Sequence, residues 1–315
     1  MIPDPDLIAS KLDGYSITTG DVLDDSHVYV VLTSDERLAN DPEDRHSYMA
    51  MLTGQRVAMI ESAFPITSQT SLTDAGDLIS VSAGGSVRRT SLPPRGGDNE
   101  PMLGDASGKK VHGRTRLTEV VAIAGRAHAV GTRRAVYRRE SPGVWDCIDD
   151  GTYTESDFEA GFNAVDGYGS DELYAVGERG EIWQYDGAWT AIASPTDQAL
   201  NTVTCAPDGT VYAAGAKGVI VSGRGARWTV VEDVPVGLEF WGSAWYDGSL
   251  HLTANLRSMH RLDPVRGLVT ADFGDCPAPA TTYHLKVREG ALWLFGSKDI
   301  RRFADGAWTL IATLA

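Results

Sequence analysis

Cysteine is scarce. The 315-residue chain has three, Cys147, Cys205 and Cys276, scattered and odd in number. No Cys-x-x-Cys and no Cys/His cluster occurs, which excludes a disulfide framework and a structural zinc site and fits a reducing compartment. Long apolar runs are missing as well. None reaches the roughly 18 residues of a membrane helix, so no membrane partner is expected. Positive charge is in deficit: 43 Asp and Glu stand against 28 Lys and Arg, a net −15. That balance excludes a generally cationic nucleic-acid binder, because phosphate affinity needs clustered Lys and Arg. The opening MIPDPDLIASKLDGY has neither a basic n-region nor an apolar h-region, so no secretory signal is expected and a cytoplasmic location is.

Catalytic motifs are absent too. There is no His-Glu-x-x-His, no paired metal spacing and no Gly-x-Ser-x-Gly elbow. The carboxylate pairs Asp24–Asp25 and Asp149–Asp150 read as turn formers. Gly104 to Lys110, GDASGKK, has three residues between its glycines where a phosphate-binding loop has four, and Lys where that loop has Ser or Thr. No nucleophile, cofactor or metal is expected.

What the chain does have is a repeat. Four segments share one rhythm: LYAVGERGEIWQYDGAWTAI from Leu173, VYAAGAKGVIVSGRGARWTVV from Val211, LWLFGSKDIRRFADGAWTLI from Leu292 and AHAVGTRRAVYRRESPGVWDCI from Ala127. Each is a short apolar run, a Gly, a tight turn, an alternating run, a second turn and a Trp. The anchors Gly131, Gly177 and Gly215 are 46 and 38 residues apart, and the 81 residues from Gly215 to Gly296 leave room for one more unit. That unit starts at Leu250, with Ala254 as its anchor and a turn expected to be one residue longer. Asp/Gly turns precede the runs, in SDEL, PDGTV, YDGSL and REGAL, where residues tolerating positive φ suit hairpins. Apolar runs this short, bounded by turn residues, are strands.

Each unit therefore holds four antiparallel strands, a to d. Such a unit cannot bury both faces alone, and radial stacking solves this. Two more divergent units are legible upstream. The prediction is all-β: one seven-bladed β-propeller of four-stranded blades, a single domain over 1–315. The blades fall at about 15–65, 66–115, 116–151, 158–195, 199–233, 239–273 and 281–315. The last blade holds all four strands at the C-terminus, so closure by strand exchange is not expected, and the first fifteen residues are expected to pack outside. The second position of strand b is Tyr29, Ile79, His128, Tyr174, Tyr212, His251 and Trp293. A flat side chain there suits the space between blades. The rhythm Leu-Tyr-Ala-Val-Gly…Gly-x-Ile…Asp-Gly-x-Trp resembles bacterial propeller repeats of the broad WD40/YVTN and Asp-box-like group, well over 117–314 and weakly over 15–92. The resemblance implies the fold and no activity. The Ser-x-Asp-x-Gly-x-x-Trp box and the Gly-His and Trp-Asp pairs are absent, so neither sialidase chemistry nor eukaryotic WD40 partners are implied.

Two insertions interrupt the repeat, Ser34 to His46 and Pro93 to Arg116, and strand d of blade two is expected within the second. Charge is uneven: residues 1–50 hold 11 acidic and 3 basic side chains, over half of the net excess. Two residues past the anchors stand Arg133, Arg179, Lys217 and Lys298, joined through the longer turn by Arg257. These cations are expected to collar one rim. Glu119, Asn163, Asn201, Trp241 and Tyr283, at the start of strand a, would sit near the same mouth, either lining a polar pocket or satisfying backbone groups. The function expected is a non-catalytic protein-binding propeller, a bacterial cytoplasmic immunity or inhibitor protein whose protein partner is a cognate toxin. Its surface would be the collared rim with the long loops, or the acidic first blade. The alternative is a small-ligand-binding, hydrolase or lyase propeller acting on an anionic substrate, with Glu119 as acid/base.

Overall fold

The computed structural model describes residues 4–54, 56–91, 97–100, 115–157, 159–263 and 265–314. The chain is an all-β, seven-bladed propeller. Twenty-eight strands form seven sheets, each of four antiparallel strands in sequence order. The blades run over 15–61, 68–100, 117–147, 162–192, 200–230, 240–270 and 284–313. Strand d of blade two is Gly97–Glu100, inside the second insertion as expected. Residues 93–96 and 101–114 of that insertion, GDASGKK included, lie outside the described residues.

The anchor glycines are set by close approach. In blade four a Cβ on Gly177 would stand 1.8 Å from the Gly161 carbonyl oxygen, where the chain enters strand a of the same blade. Gly131, Gly215 and Gly296 meet the equivalent carbonyls of Arg116, Ala199 and Thr281. Only a residue without a side chain lets strand b end this close to the start of strand a. The Asp/Gly hairpin turns adopt the positive φ that they require, for example Asp247 (46°) with Gly248 (72°) and Asp305 (53°) with Gly306 (78°).

By packing, residues 66–240 form one compact unit and residues 1–65 with 241–315 another. In the first, the strand-d Trp of blades three, four and five packs against the preceding blade. Tyr174 of blade four meets Trp228 of blade five edge-on, with ring centroids 6.0 Å apart. Trp189 Nε1 of blade four donates to the Ile148 carbonyl at the end of blade three at 2.7 Å. The strand-b side chains Ile79, His128 and Tyr174 are fully buried, so that signature is a packing signature. A buried charge network joins blades two and three. Arg139, 4% exposed, donates from Nη2 to Glu100 Oε1 (2.5 Å) and to Asp77 Oδ2 (3.3 Å). Arg89 and the Trp145 indole complete it on Asp77 and Glu100.

In the second unit, blade seven takes all four strands from 284–313 and packs on blade one without strand exchange. The leader forms helix α1, Pro5–Leu12, capped by Asp4, whose side chain accepts from the Asp6 N–H. Its Ile8 and Leu12 are fully buried in one cluster with Val30, Leu52, Trp293 and Phe295 of blades one and seven. The leader thus packs outside the strands, as expected. His284 Nε2 donates to the Thr18 carbonyl at 2.9 Å, and the Ile17 N–H to the Ser297 carbonyl at 2.7 Å. The acidic insertion of blade one opens with a helix that the sequence reading treats as loop: α2, Asp35–Asn40, N-capped by Ser34.

Candidate functional site

The turns between strands b and c in blades three, four and five are one structure repeated. The anchor N–H bonds the carbonyl four residues on (Gly131 to Ala135, Gly177 to Glu181, Gly215 to Val219), which leaves three residues at the tip. The middle one is left-handed: Arg133 at φ 64°, Arg179 at 57° and Lys217 at 55°. A long side chain at such a position is uncommon, and the backbone is held there by the bonds on either side.

The three cations nevertheless differ. Arg133 is only 5% exposed; its guanidinium turns inward and donates to the Glu155 carbonyl at 2.8 Å. Its neighbour Arg134 takes the second left-handed position (φ 60°) and grips Glu181 with two 2.7 Å bonds. Arg179 bonds Asp157 at 2.5 Å, and its guanidinium holds the Asp157 carboxyl below the usual carboxylate range. Lys217 is exposed and, among the described residues, makes no side-chain ion pair.

In the other unit, Lys298 reaches across to blade one. Its ammonium donates to the Tyr15 carbonyl at 3.0 Å and to Asp35 of α2 at 2.6 Å. Arg257 is exposed. The blade-six turn is not longer, which corrects the sequence reading. Ala254 faces Ser258 and again leaves three residues, but Asn255 (φ 53°) and Leu256 (57°) now carry the bend. Asn tolerates that conformation, so the bend starts one residue earlier, and Leu256 stands where blade five has Lys217. The five cations therefore comprise one buried side chain, two paired ones and two exposed ones.

The strand-a residues act mainly on backbone. Glu119 Oε2 accepts from the Val165 N–H (3.0 Å). Asn163 Nδ2 donates to the Leu200 carbonyl (3.1 Å) and to Glu178 Oε1 (3.2 Å). Asn201 Nδ2 donates to the Phe240 carbonyl (2.9 Å). Each ties one innermost strand to the next, the backbone-satisfying role of the two expected. In the other unit, the Tyr283 carbonyl accepts from Thr253 Oγ1 (3.2 Å), and Trp241 is 49% exposed. Asn163 and Arg179 do meet at a cavity of about 430 Å³ whose walls include Thr118, Thr132, Glu159 and Glu178. Its charged lining is of mixed sign. Among the described residues no group of three or more His, Cys, Asp or Glu could hold a metal, and no helix is long and apolar enough to cross a membrane.

The sequence reading missed the carboxylates that pair with the collar, Asp157 and Asp35. It takes RVAMIESA as the last run of blade one but misses how much of the strand it forms, Arg56–Glu61, stays exposed. That strand is exposed at every described position but Val57, with Met59 37% and Ile60 46% exposed. Trp145, Trp189, Trp228 and Trp308 mark strand d of blades three, four, five and seven, whereas strands d of blades one, two and six have no Trp.

No protein-family model matches the chain. It is 40% identical over 205 residues to the immune protein Tsi7 of Pseudomonas aeruginosa. The match covers 64% of this chain and 66% of that protein, just under two thirds of its length. Among solved structures, YCF48 bound to D1 peptide superposes with a TM-score of 0.67 over 93% of each chain at 15% identity. The WD40 propeller domain of Doa1 does so with 0.67 over 93% and 97% at 10% identity. These two likenesses carry the fold alone.

Proposed function

We propose that this protein is a toxin-immunity protein, a non-catalytic propeller that neutralises a cognate toxin by binding it. The observation that carries the reading is the 40% identity to a protein named as an immune protein. The residues support it. Glu119, the strongest acid/base candidate, is spent on a backbone N–H of the next blade, and the amides beside it hold carbonyls. Arg133 is buried and Arg179 and Lys298 are paired, so three of the five candidate cations are already engaged within the protein. A propeller with a net charge of −15 suits capture of a basic protein, because opposite net charge speeds encounter.

Co-expression tests the reading. Cells making the product of the gene adjacent to this one should stop growing, and cells making both should grow. Growth arrest that persists with this chain present at equal abundance would remove the reading.

A further inference from the structure

In three of the four blades with a strand-d Trp the indole sits at the second position of the strand, and in blade four Trp189 opens it. Trp228 follows Arg227, which faces Arg224 across the hairpin, and Trp308 follows Ala307, which faces Ala304. In blade one Arg56 faces Thr53, so Val57 holds the Trp position. Val57 packs on the cluster shared by blades one and seven, but a valine covers far less than an indole. The rest of the strand is left uncovered: Ala58, Met59 and Ile60 are exposed, and the chain continues through exposed Ala63 and Pro65 with half-buried Phe64.

This apolar edge leads into a cavity. Arg45, His46, Glu61, Ser62, Phe64 and Pro65 are among the walls of a space of about 590 Å³. Among the described residues strand d pairs only with strand c, so no strand ladder occupies its outer edge there. Edge strands are ordinarily blunted by charge, proline or a bulge. Here charge stands only at the ends, Arg56 and Glu61.

The surroundings are acidic. Residues 1–65 hold 12 acidic and 4 basic side chains. Two of those four are already taken: Arg37 bonds Asp44 at 2.8 Å and Arg45 bonds Glu43 at 3.0 Å. Glu36, Asp41, Glu43 and Glu61 are exposed.

We propose that the outer edge of blade one is the docking surface for the toxin. The occupant is an extended segment of the partner, with apolar side chains for the Ala58–Ile60 edge and the cavity and with Lys or Arg flanking them for the acidic border. Strand addition supplies main-chain hydrogen bonds, the cavity selects side chains, and the border selects charge. The assignment rests on the toxin-immunity reading and adds the surface and the chemistry of the partner segment.

The test uses the full chain and the purified product of the adjacent gene. Titrations compare the unaltered chain, the double variant Met59→Lys with Ile60→Lys, and a rim variant Lys217→Glu with Arg257→Glu. All altered side chains are exposed, and circular dichroism checks folding. The edge variant should bind at least about 100-fold more weakly, the rim variant within about twofold, and hydrogen exchange at Val57–Glu61 should slow in the complex. Equal affinity of the edge variant and the unaltered chain would overturn the docking surface and leave the immunity reading intact. No binding by the unaltered chain would overturn that reading together with the surface that rests on it. A dimer of the chain alone that the edge variant makes monomeric would give the edge to a second copy and overturn the assignment.

Discussion

The Asn163 carboxamide donates to the Leu200 carbonyl at 3.1 Å, and through that bond the innermost strand of blade four is tied to that of blade five. Glu119 ties blade three to blade four, and Asn201 ties blade five to Phe240 at the start of blade six, by the same device. A polar side chain at this position satisfies a backbone group that no strand ladder reaches.

Asn163→Ala should therefore destabilise the fold by about 1–2 kcal/mol, the worth of a hydrogen bond plus an unpaired carbonyl. Urea denaturation measures it. Partner affinity should stay within about twofold, because the side chain serves the scaffold.

Gly177→Ala should be worse. The added Cβ would lie 1.8 Å from the Gly161 oxygen, so strand b and the entry to strand a must part. A loss of about 3 kcal/mol or more is expected in thermal or chemical unfolding, against near-neutral behaviour for Ala at half-buried Gly169, where an added Cβ has nothing within 4 Å.

Arg139→Met should leave Glu100 buried without its cationic partner, with Asp77 held by Arg89 alone, and destabilise by about 3–5 kcal/mol. Adding Glu100→Met should restore a large part of that loss. A double-mutant cycle in guanidinium measures the coupling, and additive losses would mean that the network is not a unit.

Stability should fall with acid in the window between pH 6.5 and about 4. Burial holds His128, His251 and His284 down at about 4, so the folded protein keeps them neutral. The unfolded chain protonates them near 6.5. Over that interval the unfolded state binds more protons. The contribution is therefore fully present above pH 6.5 and is lost as pH falls through about 4, at up to about 1.4 kcal/mol per pH unit for each ring. His128→Phe should flatten the melting-temperature profile in this window.

The blades were legible because their markers are local and sterically enforced. Gly131, Gly177, Gly215 and Gly296 each sit where a Cβ would strike a carbonyl, and the Asp-Gly turns need positive φ. The collar was not legible, because where a turn cation points depends on residues far away in sequence. Asp157 for Arg179, Asp35 for Lys298 and the Glu155 carbonyl for Arg133 arrive from other segments. The blade-six turn misled for a related reason: Asn255 bends the chain one residue early, and spacing alone placed Arg257 at the tip. The run RVAMIESA was legible as the last strand of blade one, but its exposure was not, because which of its residues are covered depends on segments far away in sequence.

Isothermal titration of this chain with the purified product of the adjacent gene tests the immunity reading most directly. The account predicts a one-to-one complex with nanomolar dissociation that weakens as salt is raised, because an acidic surface meets a basic one. The absence of heat at micromolar concentrations of both folded proteins would contradict it.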